Sequence, residues 1–171
     1  MNELAKLNKA RQALIEAKTL DEIREIKDIA VAVKAYAIAK GLGIEMKNEA
    51  SEIEIRAIRE MGKLIRQKQE AGELATQEDG RPISLPDGKT YQTLPDIGVT
   101  WKESSTSKNL AAVPDAEFEE EIQKLIQDKK PLTKTAMLRA IAKNKTSVSI
   151  EIPDNIYNQY IVNLYEKYLW N

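Results

Sequence analysis

Neither cysteine nor histidine occurs in the 171 residues of this chain. Their absence removes disulfide bonds, thiolate nucleophiles and zinc sites of the Cys/His kind, together with the commonest general base. Ser104 and Ser105 have no imidazole to activate them, which excludes triad hydrolysis. Glycine is scarce at 7 residues, and Gly41-Leu42-Gly43 lacks the Lys-Ser/Thr that follows in a phosphate-binding loop. An excess of charge of one sign is also missing. Its 26 basic and 27 acidic residues give no global field for nucleic acid, so any such contact has to be local. No window approaches the roughly 20 apolar residues of a membrane span, and the N-terminal MNELAKLNKARQ has no apolar leader core. Together these absences imply a cytoplasmic, non-enzymatic protein with no membrane partner, no cofactor and no metal.

What is present is a folded composition, 42% hydrophobic and 31% charged, enough for one good core or two small ones. Residues 2 to 69 read as helix almost throughout. Thr19-Leu20-Asp21-Glu22 is a capping box that opens a helix near Leu20, separating it from a shorter one over 2 to 18. Leu20, Ile23, Ile26, Ala30, Val33 and Ala37 recur at steps of three and four, as a buried stripe requires. Ala32, Ala35 and Ala39 add small side chains that allow a close neighbour. Gly41 and Gly43 mark a break, and the next helix spans about Ile44 to Glu73. Its apolar residues Ile53, Ile55, Ala57, Ile58, Met61, Leu64 and Ile65 cover about half the circumference, more than one antiparallel neighbour buries. A second contact follows: either another copy of the chain, through Ile53, Ile58, Met61 and Ile65, or internal packing with the first two helices. Glu45, Glu49 and Glu52, or Glu117 and Glu121, have helical spacing for metal ligation, but without a histidine they read as a solvated face with i,i+4 pairs.

Residues 75–90, rich in Gly and Pro, read as a linker. Beyond it, residues 91 to 98 can form a short helix or turn ending at Gly98, and Thr100-Trp101-Lys102-Glu103 is a second capping box opening a helix to about Ala112. Helix, glycine turn and capped helix is the helix-turn-helix layout. In it the second helix would offer Lys102, Ser104, Ser105, Thr106, Lys108 and Asn109 to duplex DNA, with Leu110 and Val113 inward. A third helix starts at Pro114-Asp115 with Phe118, Ile122, Leu125 and Ile126 inside. A fourth runs from Leu132 to Lys143, and Lys130, Lys134 and Arg139 make this end locally basic. The alternative for the serine-rich helix is a solvated face that touches nothing.

The run GVTWKESSTSKNLAAVPDAEFEEEIQKLIQDKKPLTKTAMLRAIA resembles the DNA-binding domain of ParB and KorB-type partition proteins. It also resembles helical proteins of phages and mobile elements, whose similarity extends loosely over residues 10 to 75. The resemblance implies a DNA-binding protein serving regulation, replication or segregation, acting as a homodimer or higher oligomer. The arginine-rich nucleotide-binding box of the partition family is absent, so its nucleotide switch is not implied. The competing expectation is a protein-interaction or anti-defence factor that docks on a host or phage protein through residues 53–65 or through the tyrosine-rich tail. The placement of Lys102, Lys108, Lys130, Lys134 and Arg139 discriminates between the two: gathered on one face they favour DNA, scattered they favour a protein partner.

Thr146 to Ile152 alternates, with Val148, Ile150 and Ile152 on one side, and reads as a strand in need of a partner, for which Arg81 to Leu85 is the candidate within the chain. After Pro153 a helix is expected to carry Tyr160, Leu164 and Tyr168 on one side. This strand and helix resemble part of a ribbon-helix-helix motif, which implies pairing between two copies through Val148, Ile150, Ile152, Tyr160, Leu164 and Tyr168. The expected fold class is mainly α: a long helical hairpin at 1–74, the linker, a helix-turn-helix-type domain at 91–145, and a β-strand plus helix at 146–171.

Overall fold

The protein is seen in a computed structural model that describes residues 3–76 and 92–147, with side chains as far as Lys143. Within these residues the chain is helical: α1 (Glu3–Glu16), α2 (Leu20–Ala39), α3 (Ile44–Glu70), α4 (Trp101–Ala111), α5 (Asp115–Gln127) and α6 (Lys134–Ser147). Local chemistry sets the ends. The Glu22 amide donates to Thr19 Oγ1 at 3.2 Å, and the Thr19 amide donates back to the Glu22 carboxylate at 2.9 Å. The same reciprocal pair forms at Thr100 and Glu103, at 3.2 and 3.1 Å. The Thr133 hydroxyl accepts from the Ala136 amide at 3.0 Å and so starts α6. Gly41, at φ +63°, closes α2: its amide and that of Leu42 turn back to the carbonyls of Ile38 and Ala37.

The helix α3 is the axis of the fold. Ile53 and Ala50 join Leu7 and Ala10 of α1 and Ile26, Ala30 and Val33 of α2 in one cluster. Ala57, Met61 and Ile65 join Leu20 and Ile23 of α2 with Leu74, Leu94 and Val99 in a second. Ile55 and Ile58 join Leu110 and Val113 of the α4 end, Phe118 and Ile122 of α5, and Leu132, Met137 and Ile141 of the α6 region in a third. This accounts for the half-circumference of apolar residues. Ile53, Ile58, Met61 and Ile65, expected as a surface for another copy, are at most 7% exposed and are spent inside the chain. The second contact of α3 is neither a copy nor α1 and α2 alone, but α4 to α6.

The expected division at residue 75 therefore does not separate two cores. Residues 1–141 cluster as one unit, and from Ala142 the chain belongs to a second. On either side of residues 77–91 the chain is held by a parallel bridge between Leu74 and Gln92, in which the Ala75 amide donates to the Gln92 carbonyl at 2.8 Å. Thr93 to Gly98 forms a turn and not a helix. Thr146 and Ser147, expected to open a strand, end α6. The remainder of that strand with Val148, Ile150 and Ile152, the following helix with Tyr160, Leu164 and Tyr168, and Arg81 to Leu85 lie outside the described residues.

Candidate functional site

The serine-rich helix α4 sits on α3 at Gly62. A Cβ built on Gly62 would lie 2.0 Å from the Ser107 carbonyl oxygen and 2.9 Å from the Lys108 nitrogen, so the backbone of α4 lies directly against α3. Only small residues permit that approach, and Ser104 and Ser107, one turn apart, supply them: they are 1% and 0% exposed. Ser107 Oγ donates to the Ser104 carbonyl at 3.0 Å, whereas the buried Ser104 hydroxyl has no partner. Ser104 is thus removed from the set expected to reach DNA. The end of α4 is held by arginines of α3. Arg59 donates to the Leu110 carbonyl at 3.2 Å and the Val113 carbonyl at 2.5 Å, and Arg66 to the Lys108 carbonyl at 2.9 Å. The Lys108 and Leu110 carbonyls also accept from the Ala112 and Val113 amides, whereas the bond to Val113 serves a carbonyl just past the helix end.

The outward side of α4 carries Trp101, Lys102, Ser105 and Asn109, all exposed, with Thr106 and Lys108 half-buried beside them. Glu103 is turned into the cap. Hydrogen bonds from the Thr100 backbone and hydroxyl hold its carboxyl below the ordinary carboxylate range, with Lys27 at 3.7 Å adding to this. The remaining expected cations lie elsewhere and are partly spent. Lys134 bonds Glu54 at 3.1 Å, a carboxylate 8% exposed that also takes Lys34 at 3.3 Å, so α2, α3 and α6 share it. Removing Lys134 to a phosphate would strip a buried charge of a partner. Lys130 pairs with Asp128 at 2.7 Å, and its carbonyl accepts from Asn48 near the start of α3 at 2.9 Å. Lys108 lies by Arg66, which puts about 27 Å of α3 between the two lysines. Arg139 and Lys102 are exposed. Lys108, Lys130 and Lys134 therefore lie at different levels along α3.

Between α1, α3 and α5 lies an open cavity of about 430 Å³ lined by Arg11, Glu52, Arg56, Arg59, Glu60 and Phe118 with Leu14 and Ile15. As charged residues on a helix, Arg56 and Arg59 would ordinarily face water. Instead Arg59 stacks 4.3 Å above the Phe118 ring and bonds Asp115 at 2.6 Å. Arg56 makes a two-pronged pair with Glu119 at 2.5 and 2.6 Å and bonds Glu52 at 2.9 Å. The pairing raises the Arg56 guanidinium above its ordinary value and holds Glu119 and Asp115 below theirs, through Arg56 and Arg59 respectively. Both arginines are held by protein partners, so this wall of the cavity consists of ion pairs. No group of three or more acidic residues arranged for a metal occurs among the described residues.

A further surface escaped sequence reasoning. On α2, along the two flanks of the side turned away from its buried stripe, Ile29 and Tyr36 are 38% and 45% exposed and Val31 and Ile38 are 42% and 59% exposed. The signal was present: from Ile29 to Ala39 the only charged residue is Lys34. A helix needs one apolar face to pack on its own core, and this segment has two. Among the described residues no helix is long and apolar enough to cross a membrane. Comparison of the chain with known protein families, with curated proteins and with solved structures gives no match.

Proposed function

We propose that the protein acts by docking another protein on the outer face of α2, and neither catalyses a reaction nor reads DNA sequence. The observation that carries this is the exposed apolar surface of Ile29, Val31, Tyr36 and Ile38 on a helix whose other side already fills the core. Exposed apolar side chains gathered in this way on a folded helix gain most by leaving water against a partner. The separation of Lys108 from Lys130 along α3 speaks the same way. Lys134 is committed to Glu54, Lys130 to Asp128, and Ser104 is buried, which leaves few groups for phosphate. The absence of histidine and cysteine and the arginines held by protein partners support a binding role over chemistry.

The chain's lack of cysteine supplies the test. Ile38→Cys and Asn109→Cys each carry a single thiol, which takes a benzophenone maleimide before irradiation in cell extract. The expected result is a protein adduct from position 38 that Val31→Asp abolishes, and no nucleic-acid adduct from position 109. Nucleic-acid adducts from 109 with nothing from 38 would overturn the reading.

DNA binding is the second reading, favoured by one observation: the outward stripe Trp101, Lys102, Ser105 and Asn109 is solvent-facing while the Glu103 carboxylate turns back to the cap. A mobility-shift titration on duplex DNA at about 50 and 200 mM salt, the range in which phosphate-driven binding changes most, tests it. It requires salt-sensitive binding that Lys102→Ala weakens.

A further inference from the structure

We infer that the partner of the α2 face is a second copy of this chain, docked with its α2 antiparallel to the first. The inference rests on reading that face as a docking surface and names its occupant.

Asp21, Glu25, Asp28, Ala32, Ala35 and Ala39 follow one another at steps of four, three, four, three and four, and all six are exposed. That spacing is the seam along which two helices pack. The seam has two halves of different chemistry. Its first half is acidic. Its second half is alanine, which lets a partner backbone come close, and is flanked by Val31 and Ile38 on one side and Ile29 and Tyr36 on the other, each pair seven residues apart.

A parallel copy would set Asp21, Glu25 and Asp28 each against its own image, three like-charge contacts in a seam that loses water. An antiparallel copy related by a two-fold axis at Ala35 avoids all three. It overlays the alanine half of one chain on that of the other, with Ile38 of each at the level of Ala32 of the other and Val31 at the level of Ala39, large against small. The same axis carries Asp28 to the level of residue 42 of the second copy, past the exposed Lys40 that ends the helix. Asp28, the one acid of that half to reach the other helix, then passes the Lys40 end twice in one contact, the self-complementarity that a two-fold interface demands. An unrelated partner helix would have to supply both the apolar strip and a cation at this spacing, whereas α2 supplies both itself.

Sedimentation of the wild-type chain and of Ile38→Asp, with oxidation of two single-cysteine variants, tests the inference. The wild type is expected to sediment as a dimer and Ile38→Asp as a monomer with unchanged helical circular dichroism, since Ile38 is 59% exposed. Ala35→Cys lies on the axis and is expected to form a disulfide-linked dimer. Asp28→Cys is not, because fourteen residues of helix, about 21 Å, would separate it from its image. Cross-linking of Asp28→Cys as efficient as that of Ala35→Cys would overturn the antiparallel arrangement. A monomeric wild type would overturn the second copy as occupant. In that event, a Val31-dependent benzophenone adduct from position 38 with a different protein leaves the docking reading standing, and no adduct removes both.

Discussion

A methyl group at Gly62 has no room, because the Ser107 carbonyl of α4 occupies the space where it would sit. Alanine is the better helix former by about 1 kcal/mol, yet overpacking on this scale costs about 1 to 3 kcal/mol. Gly62→Ala is therefore expected to lower the urea midpoint, with α4 lifting from α3. The Ser104 hydroxyl presents the reverse case, being buried with no partner. Ser104→Ala removes an uncompensated polar group and is expected to leave stability unchanged or raise it by up to about 1 kcal/mol in the same titration. A serine that reads DNA would show its loss in affinity and not in the melt. Arg59 is the residue on which the α4–α5 corner depends, since it serves the Leu110 and Val113 carbonyls and Asp115 from one guanidinium. Arg59→Met is expected to cost about 1 to 3 kcal/mol by leaving the Val113 carbonyl without its donor and breaking the Asp115 pair, and Arg59→Lys to restore little, because an ammonium lacks the fork. Its burial was not legible in the sequence: a charged residue amid an apolar run reads as surface until the element packed against it is known.

At the scale of the element, both capping boxes were legible because the signal lies within four residues and needs no tertiary information. Thr100→Ala is expected to cost about 1 kcal/mol. The cap also carries a pH dependence. Hydrogen bonds to the carboxylate form hold Glu103 and Glu22 below the ordinary carboxylate range. Their contribution is complete above that range and is lost as the pH falls through the lowered folded-state value. Melting temperature should therefore fall on the acid side, and Glu103→Gln should flatten that fall while costing stability at neutral pH. The turn at Thr93 to Gly98 shows where local signals run out. Leu94 and Val99 are pulled into the core with Met61 and Ile65, and Gly98 at φ +63° reverses the chain within one turn. A sequence that allowed a short helix took the turn because burial of those two side chains decided it.

For the molecule as a whole, the arrangement follows from one helix with three apolar sectors. Ile53 on α3 and Ile38 on α2 are both apolar residues at helical spacing, and the structure gives them opposite roles, 0% against 59% exposed. Ile53→Asp buries a charge among Leu7, Ala30 and Val33 and is expected to unfold the chain. Ile38→Asp is expected to stay within about 0.5 kcal/mol of the wild type in chemical denaturation. The same pair of variants separates what holds the chain together from what it leaves exposed. The placement of Lys134 belongs to this scale too. Lys134 counted as a basic residue near a helix start, and it became half of an ion pair only when α6 came to lie beside Glu54.

The sequence by itself determined that the chain is mainly helical, where its long helices begin, which stripe of α2 is buried, and that histidine and cysteine chemistry is closed to it, because these depend on composition and on neighbours within one or two turns. Only the tertiary structure decided that the broad face of α3 packs inward on α4 to α6, that Ser104 and Ser107 are buried against a glycine, and that α2 leaves apolar side chains exposed. Each of those depends on which of several faces of similar chemistry finds a partner within the chain. A pattern of side chains shows that a face has to be covered; the packing of elements distant in sequence decides what covers it.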